Sequence, residues 1–229
     1  MKHLALKMLV LGSICASPLA SATLITWTDW VSAIAGDAGS ASGTIGAVNV
    51  GYTGDVTFAE LGAGIDFWTE GANHPYTASA LVDNAPTPAE MIGMSLAGVT
   101  NTITFSQAVI NPIFAIVSQG QLEVPVTYNF DRPFTVLSEG LGFWGDGSYT
   151  LGAGDTLTGH ELHAAIQFIG TVNSISWVAE NPEYWHGFTV GLAQTTVDPR
   201  AVPEPGAPLL IGLGLLTFIA ASRRRKASS

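Results

Sequence analysis

The residues His160-Glu161-Leu162-His163 set two imidazoles three positions apart with a carboxylate between them, side chains that suit a zinc ion. A zinc protease holds its metal from two histidines four apart on one helical face, with the glutamate beside the first. A spacing of three does not fit that face. Gly159 before the group and Ala164 to Gly170 after it favour a strand over a helix. If His163 begins that strand, it shares a face with Gln167, opposite Ile166 and Phe168. The expectation is two polar residues on a loop and a solvent face, and no metal site is assigned.

Carboxylates recur in glycine-rich turns. Asp146 and Asp155 lie in Gly145-Asp146-Gly147 and Gly152-Ala153-Gly154-Asp155, and Asp37, Asp55 and Asp66 lie in others. Hard oxygen ligands on such turns suit Ca2+, although none follows the EF-hand spacing or the Gly/Asp nonapeptide repeat. Aspartate in a turn equally serves to bond its own backbone. No cofactor is expected, and Ca2+ is the one ion this chemistry admits.

The aromatic residues offer a different chemistry. All six tryptophans fall between Trp27 and Trp185. Trp177 shares an inward face with Ile175, but Trp185 alternates with Phe188, Val190 and Leu192 and falls on the face of Gly187, Thr189 and Gly191. An indole beside glycines is a platform for a sugar ring. Trp144 and Tyr149 flank Gly145-Asp146-Gly147-Ser148, a mixture of ring and acceptor that carbohydrate sites use. Trp144, Asp146, Tyr149 and Trp185 are therefore the candidate ligand-binding residues. The same rings also fit a packing role over a sheet edge or under a loop.

Catalysis finds no anchor in the pattern. Glycoside hydrolysis needs two carboxyl groups at a set separation, and spacing cannot choose a pair from 18 acids. No Gly-x-Ser-x-Gly elbow and no phosphate-binding loop is present. Residues 23–204 contain neither lysine nor cysteine. No catalytic residue is assigned, and an enzyme is not expected.

Alternating runs supply the elements that must carry these residues. Ile103 and Phe105 oppose Thr102 and Thr104, while Val124, Val126, Tyr128 and Phe130 oppose Pro125, Thr127 and Asn129. Asn173 to Trp177 and His186 to Leu192 behave likewise, the period-2 signature of half-buried strands. Ile113 to Val117 is apolar throughout and fits a strand buried on both faces. Glycine and proline turns punctuate the runs about every 10 residues, which reads as an all-β, antiparallel, jelly-roll-like β-sandwich over residues 23–194. Thr87 to Met94, with Pro88 near its first turn, is expected to be the one short helix. Trp30 to Ile34 is ambiguous.

The two ends carry targeting patterns. Residues 1–22 join Lys2 and Lys7 to an apolar run from Met8 to Ala16 and the small-x-small site Ala20-Ser21-Ala22, the layout of a cleaved signal peptide. Residues 195–201 read as a linker. Then follow Val202-Pro203-Glu204-Pro205, an uncharged stretch from Gly206 to Ser222, and Arg223-Arg224-Arg225-Lys226. The uncharged stretch suits a single transmembrane helix, with the cations holding its end in the cytoplasm.

In that order, the three features over residues 202–229 closely resemble the PEP-CTERM sorting signal of Gram-negative bacteria that make exopolysaccharide. The resemblance implies an exosortase as partner, which recognises Pro203-Glu204-Pro205 and cleaves near it. It also implies an inner-membrane intermediate before release to the cell surface or extracellular matrix. The two prolines keep the recognition segment extended and out of the helix.

Charge narrows the partners. The whole chain is −10, but residues 23–204 hold only Arg132 and Arg200 against all 18 acids, a formal charge of −16. Nucleic acid is excluded as a partner by the shortage of cations. The preferred expectation is a secreted surface or matrix protein whose body associates with extracellular polysaccharide. An anionic polymer would then need Ca2+ or Mg2+ as a bridge. The alternatives are a non-catalytic structural or protein-interaction component of the envelope, and a polysaccharide hydrolase or lyase. Mass spectrometry of the exported form tests the sorting expectation: the mature mass should lack Arg223-Arg224-Arg225-Lys226, and an intact basic tail would refute processing.

Overall fold

Strands account for all the regular structure in residues 23–194, the part of the chain that this computed structural model describes. In chain order they are β1 (Ile25–Trp27), β2 (Asp29–Ile34), β3 (Gly36–Ile45), β4 (Val48–Val56), β5 (Phe58–Leu61), β6 (Glu90–Met94) and β7 (Thr100–Ile110). There follow β8 (Ile113–Gln119), β9 (Val126–Phe130), β10 (Phe134–Glu139), β11 (Ser148–Leu151), β12 (Thr156–His160), β13 (Leu162–Phe168), β14 (Thr171–Ala179) and β15 (His186–Ala193). They form two antiparallel sheets. One has the order β10-β13-β8-β15-β6-β5, with β1 also paired to β15; the other runs β11-β12-β9-β14-β7-β4-β3-β2. The signal peptide, the linker and the sorting helix lie outside the described residues.

The eight-stranded sheet follows from period-2 alternation. Ile103 and Phe105 of β7 point inward, and Ile103 sits opposite Ile175 of β14 and Tyr52 of β4. Hydroxyls line its other face, where Thr102 bonds Ser176 at 2.9 Å and Thr127 bonds Thr158 at 2.7 Å. Between the sheets lies an aromatic core. Phe114 of β8 stacks on Phe188 of β15 at 5.1 Å, and Trp177 of the facing sheet meets both rings edge-on. Such pairs add about 0.5–1.5 kcal/mol each beyond the area they bury.

The seven-stranded sheet is buried on both faces. Phe114 and Ile116 of β8 join the inter-sheet core, while Ile113, Ala115 and Val117 join a second core with Trp27, Phe67, Trp68, Tyr76, Val82 and Met91. The segment 62–89 makes that second cover without regular structure, far longer than the usual connection of about 4–6 residues. Side chains replace the missing ladder. Glu70 accepts from the amides of Tyr76 and Thr77 at 2.8 and 2.9 Å, and Asn84 bonds both the amide and the carbonyl of Ile25.

Two expectations are corrected here. Thr87 to Met94 is not helical: Glu90–Met94 is strand β6, every residue of it buried. An apolar run this short carries no period, and burial between two cores decides its conformation. The glycines beside Trp185 are not open surface: Gly187 and Gly191 face Met91, Val117, Ile25 and Trp27, against which a Cβ would collide. The ambiguous Trp30 to Ile34 falls in β2 at the edge of the larger sheet.

One buried carboxylate ties the sheets together. Asp55, at the end of β4, accepts from the amides of Ser95 and Leu96 just beyond β6, at 2.6 and 2.7 Å. Asn101 of β7 takes the Asp55 amide and the Tyr52 hydroxyl on the same oxygen. Asp55→Ala leaves two half-buried amide donors unmet and should cost roughly 2–3 kcal/mol in denaturant unfolding. The exposed Asp146→Ala serves as control and should stay within about 0.5 kcal/mol of the parent.

Candidate functional site

The end of β8 passes over β12 of the larger sheet, and glycine makes the crossing feasible. A Cβ on Gly120 (φ 73°) would strike the carbonyl of Gly159 in β12, and one on Gly159 would meet Gln119. The buried Gln119 amide locks the crossing by donating to the carbonyls of Val126 and Leu157, each at 3.0 Å. Beside it, Ser118 and Glu161 both adopt left-handed backbone, with φ of 58° and 61°. Neither is glycine, and such a conformation costs on the order of 1–3 kcal/mol where the surroundings impose it. Its result is a contact: Ser118 Oγ donates to Glu161 Oε1 at 2.5 Å.

A cleft of about 460 Å³ opens over this pair. Trp144, Tyr184 and Trp185 supply aromatic surface, and Glu123, Glu161 and Glu183 supply carboxylates. Ser118, Gln121 and Leu122 complete the lining. Trp144 is 55% exposed and Tyr184 is 88% exposed. Trp185 is half-buried, held by Phe58 and Phe67 at 5.4 and 4.9 Å, and meets Trp144 edge-to-face at 6.3 Å. The loop that presents Trp144 is pressed down by its glycines. A Cβ on Gly142 would overlap the His163 ring, and one on Gly147 would overlap the Glu161 backbone.

The carboxylates have different supports. Glu183 Oε1 accepts from the Gly120 amide at 2.8 Å and pairs with Nδ1 of the buried His186. Burial pushes the Glu161 carboxyl above the usual range; the Ser118 hydrogen bond opposes that shift and the Glu183 charge reinforces it. His163 lies behind Glu161, with Nε2 at 3.9 Å from Oε1 and no hydrogen-bond partner. Its Nδ1 shares a hydrogen bond with the Tyr76 hydroxyl at 3.2 Å. Burial lowers the His163 pKa to about 4, so the ring is neutral at neutral pH.

The structure brings Trp144 and Trp185 into one cleft and leaves Asp146 and Tyr149 out of its lining. Asp146 is exposed on the turn, and Tyr149 of β11 packs against the inter-sheet core. The expected solvent face for His163 is corrected: it is 1% exposed, because segment 62–89 and the loop after β10 cover that side of β13. Asp55 and Asp66 bond backbone amides, and among the described residues no group of three or more His, Cys, Asp or Glu is placed to hold a metal ion. The sorting residues Val202 to Pro205, the cations Arg223 to Lys226 and the cleavage residues Ala20 and Ala22 lie outside the described residues.

Sequence reasoning missed Glu161 and Glu183 as cleft acids. The available signals were their neighbours: Glu161 sits inside the histidine pair and Glu183 stands two residues before Trp185. The sequence reading also passed over Gly140-Leu141-Gly142-Phe143-Trp144-Gly145, which has the spacing of a dinucleotide fingerprint, but it joins β10 to β11 with no helix to receive a phosphate.

Comparison with known proteins is informative at one end of the chain. Residues 201–226 match the family model of the PEP-CTERM protein-sorting motif. That motif implies export through a membrane-anchored intermediate and processing by an exosortase. No curated protein and no solved structure matches the chain.

Burial of His163 has a measurable consequence. Its folded pKa of about 4 lies below the ordinary 6.5, so the unfolded chain takes up the proton first. Stability from this group is present above pH 6.5 and is lost as pH falls toward 4, by about 3 kcal/mol over the window. Glu161 acts with the opposite sign, since a raised carboxyl favours the fold at low pH. Denaturant melts of His163→Asn, which keeps a partner for Tyr76, should lose less stability across that window than the parent.

Proposed function

We propose that this protein is an exosortase-sorted surface or matrix protein whose body binds a chain of extracellular polysaccharide in the Trp144–Trp185 cleft. The sorting motif supports export, and the cleft supports the contact. One observation carries the reading: two tryptophans from separate loops meet edge-to-face at 6.3 Å in a single concavity, beside carboxylate acceptors. Sugar rings bury their apolar faces on indoles and give their hydroxyls to such acceptors.

The winding of the body supports reading it as jelly-roll-like. From β7 onward β7, β9, the β11–β12 hairpin and β14 belong to one sheet while β8, β10, β13 and β15 belong to the other, so the chain alternates between layers apart from that hairpin. In this reading the body acts by binding alone. A second reading, cleavage of the polymer, is favoured by Glu161 and Glu183 lining one cleft. Release of reducing ends from a polymer panel, abolished by Glu161→Gln, would establish it in place of simple binding.

Affinity gels or a glycan array test the preferred reading. The exported protein should be retained, and Trp144→Ala should weaken retention about tenfold or more. An indole that is 55% exposed can be removed without opening the core, so circular dichroism and thermal melts should be unchanged. Failure to be retained on the producing cell's own matrix would sink the binding claim.

A further inference from the structure

We propose that the polymer carries free ammonium groups, an amino-sugar chain with unacetylated amines, and that Glu161 and Glu123 recognise them beside the indole of Trp144. This deepens the polysaccharide reading and rests on it.

Charge complementarity is the first ground. Three carboxylates and three aromatic rings line the cleft, and no cationic side chain does. Arg132, the single Lys or Arg among the described residues, is bonded to Asp131 at 3.1 Å in the turn between β9 and β10. An anionic chain would meet only repulsion there. A neutral sugar laid over Glu161 offers it hydroxyl donors but no opposite charge to offset the burial of an ionised group. An ammonium group supplies that charge, and aromatic faces beside carboxylates are the usual surroundings of bound ammonium ions.

The second ground is the pairing behind the carboxylates. Glu183 has an imidazole partner in His186. Glu161 does not: His163 faces it at 3.9 Å with an Nε2 that is wholly buried and unpartnered, and that ring is neutral at neutral pH. The protein therefore fixes Glu161 firmly, through Ser118 and two left-handed backbone residues, yet leaves its charge without a counter-ion. Among the described residues no metal-binding group of side chains fills that role. The missing charge belongs to the ligand.

Binding of a β-1,4-linked glucosamine oligosaccharide, its fully N-acetylated form, a cello-oligosaccharide and an oligolysine separates the outcomes, at a pH where the amines are protonated. The glucosamine oligomer should bind about tenfold tighter than its N-acetylated form, and added salt should shrink the difference. Glu161→Gln and Glu123→Gln should each move the ratio of the two affinities toward one. Glu123 belongs to a surface turn, so its variant tests the idea even if Glu161→Gln disturbs the fold. Equal affinity for the amine, acetylated and neutral chains overturns ammonium recognition while the polysaccharide reading stands. Tighter binding of oligolysine than of any sugar makes the ligand a basic peptide and overturns the proposal. If no oligosaccharide binds at all, the polysaccharide reading fails with it.

Discussion

Burial of the seven-stranded sheet on both faces sets the terms for the rest of the molecule. A sheet covered on one side only would show alternating strands, and β8, β6 and β13 do not alternate. Their second apolar face has to be covered, and segment 62–89 covers it with Phe67, Trp68, Tyr76 and Val82. That cover has no ladder of its own, so it depends on carboxylates and amides that stand in for strand partners. It also seals His163 and braces Trp185 through Phe67. The cleft thus lies at the margin of the second core, where the covering layer stops and the rings at its edge meet solvent.

Close backbone approach then places the acids. Gly120 and Gly159 allow the end of β8 to cross β12, and that crossing brings Ser118 to Glu161 and the Gly120 amide to Glu183. Side chains at either glycine would push the strands apart and separate the carboxylates. The left-handed conformations of Ser118 and Glu161 are the local cost of this arrangement, and the locked Gln119 amide shows that the surroundings can enforce it. Rigid support beneath and exposed rings above is the division of labour expected of a preformed binding site.

A wet face made some strands legible but not all: β3 and β4 have one, yet Asp37 and Asp55 beside their glycines read as turn residues and lie within those strands. β7, β9 and β14 follow from Thr, Ser and Asn alternating with Ile, Val and aromatic residues, and β8 follows from an unbroken apolar run. β6 was not legible, because Met91 to Met94 has no period and its extended form depends on residues distant in sequence. Trp144 was readable as a ring beside a glycine turn, and Trp185 as a tryptophan that alternation left out of the inter-sheet core. The acids were not readable. Glu161 and Glu183 are 22 positions apart and meet only because the end of β8 crosses β12. Asp146 and Tyr149 belong to the turn beside Trp144 in sequence, but β11 pairs with β12 and turns Tyr149 onto the core.

The acidity of the body has a structural side that net charge conceals. With one arginine, paired to its neighbour Asp131, and no lysine among the described residues, Lys and Arg ion pairs do not tie the loops together, and with no cysteine there, disulfides cannot either. Carboxylates bonded to backbone amides do so instead: Glu90 to Trp30, Asp55 to Ser95 and Leu96, Glu70 to Tyr76 and Thr77, Glu60 to Ile65, Asp131 to Ser176 and Glu183 to Gly120. Hydrogen bonds to a charged acceptor are worth about 1.5–3 kcal/mol each, more than a typical exposed ion pair. They need no counter-ion from the medium and no oxidant. A protein exported into a compartment of variable salt and redox state can keep its irregular cover in place this way. Acids that close loops have found their donors within the chain; Glu161 and Glu123, on the cleft wall, have not found a cation there. The distinction between used and unused carboxylates is what turns a uniformly acidic composition into one electrostatically defined site.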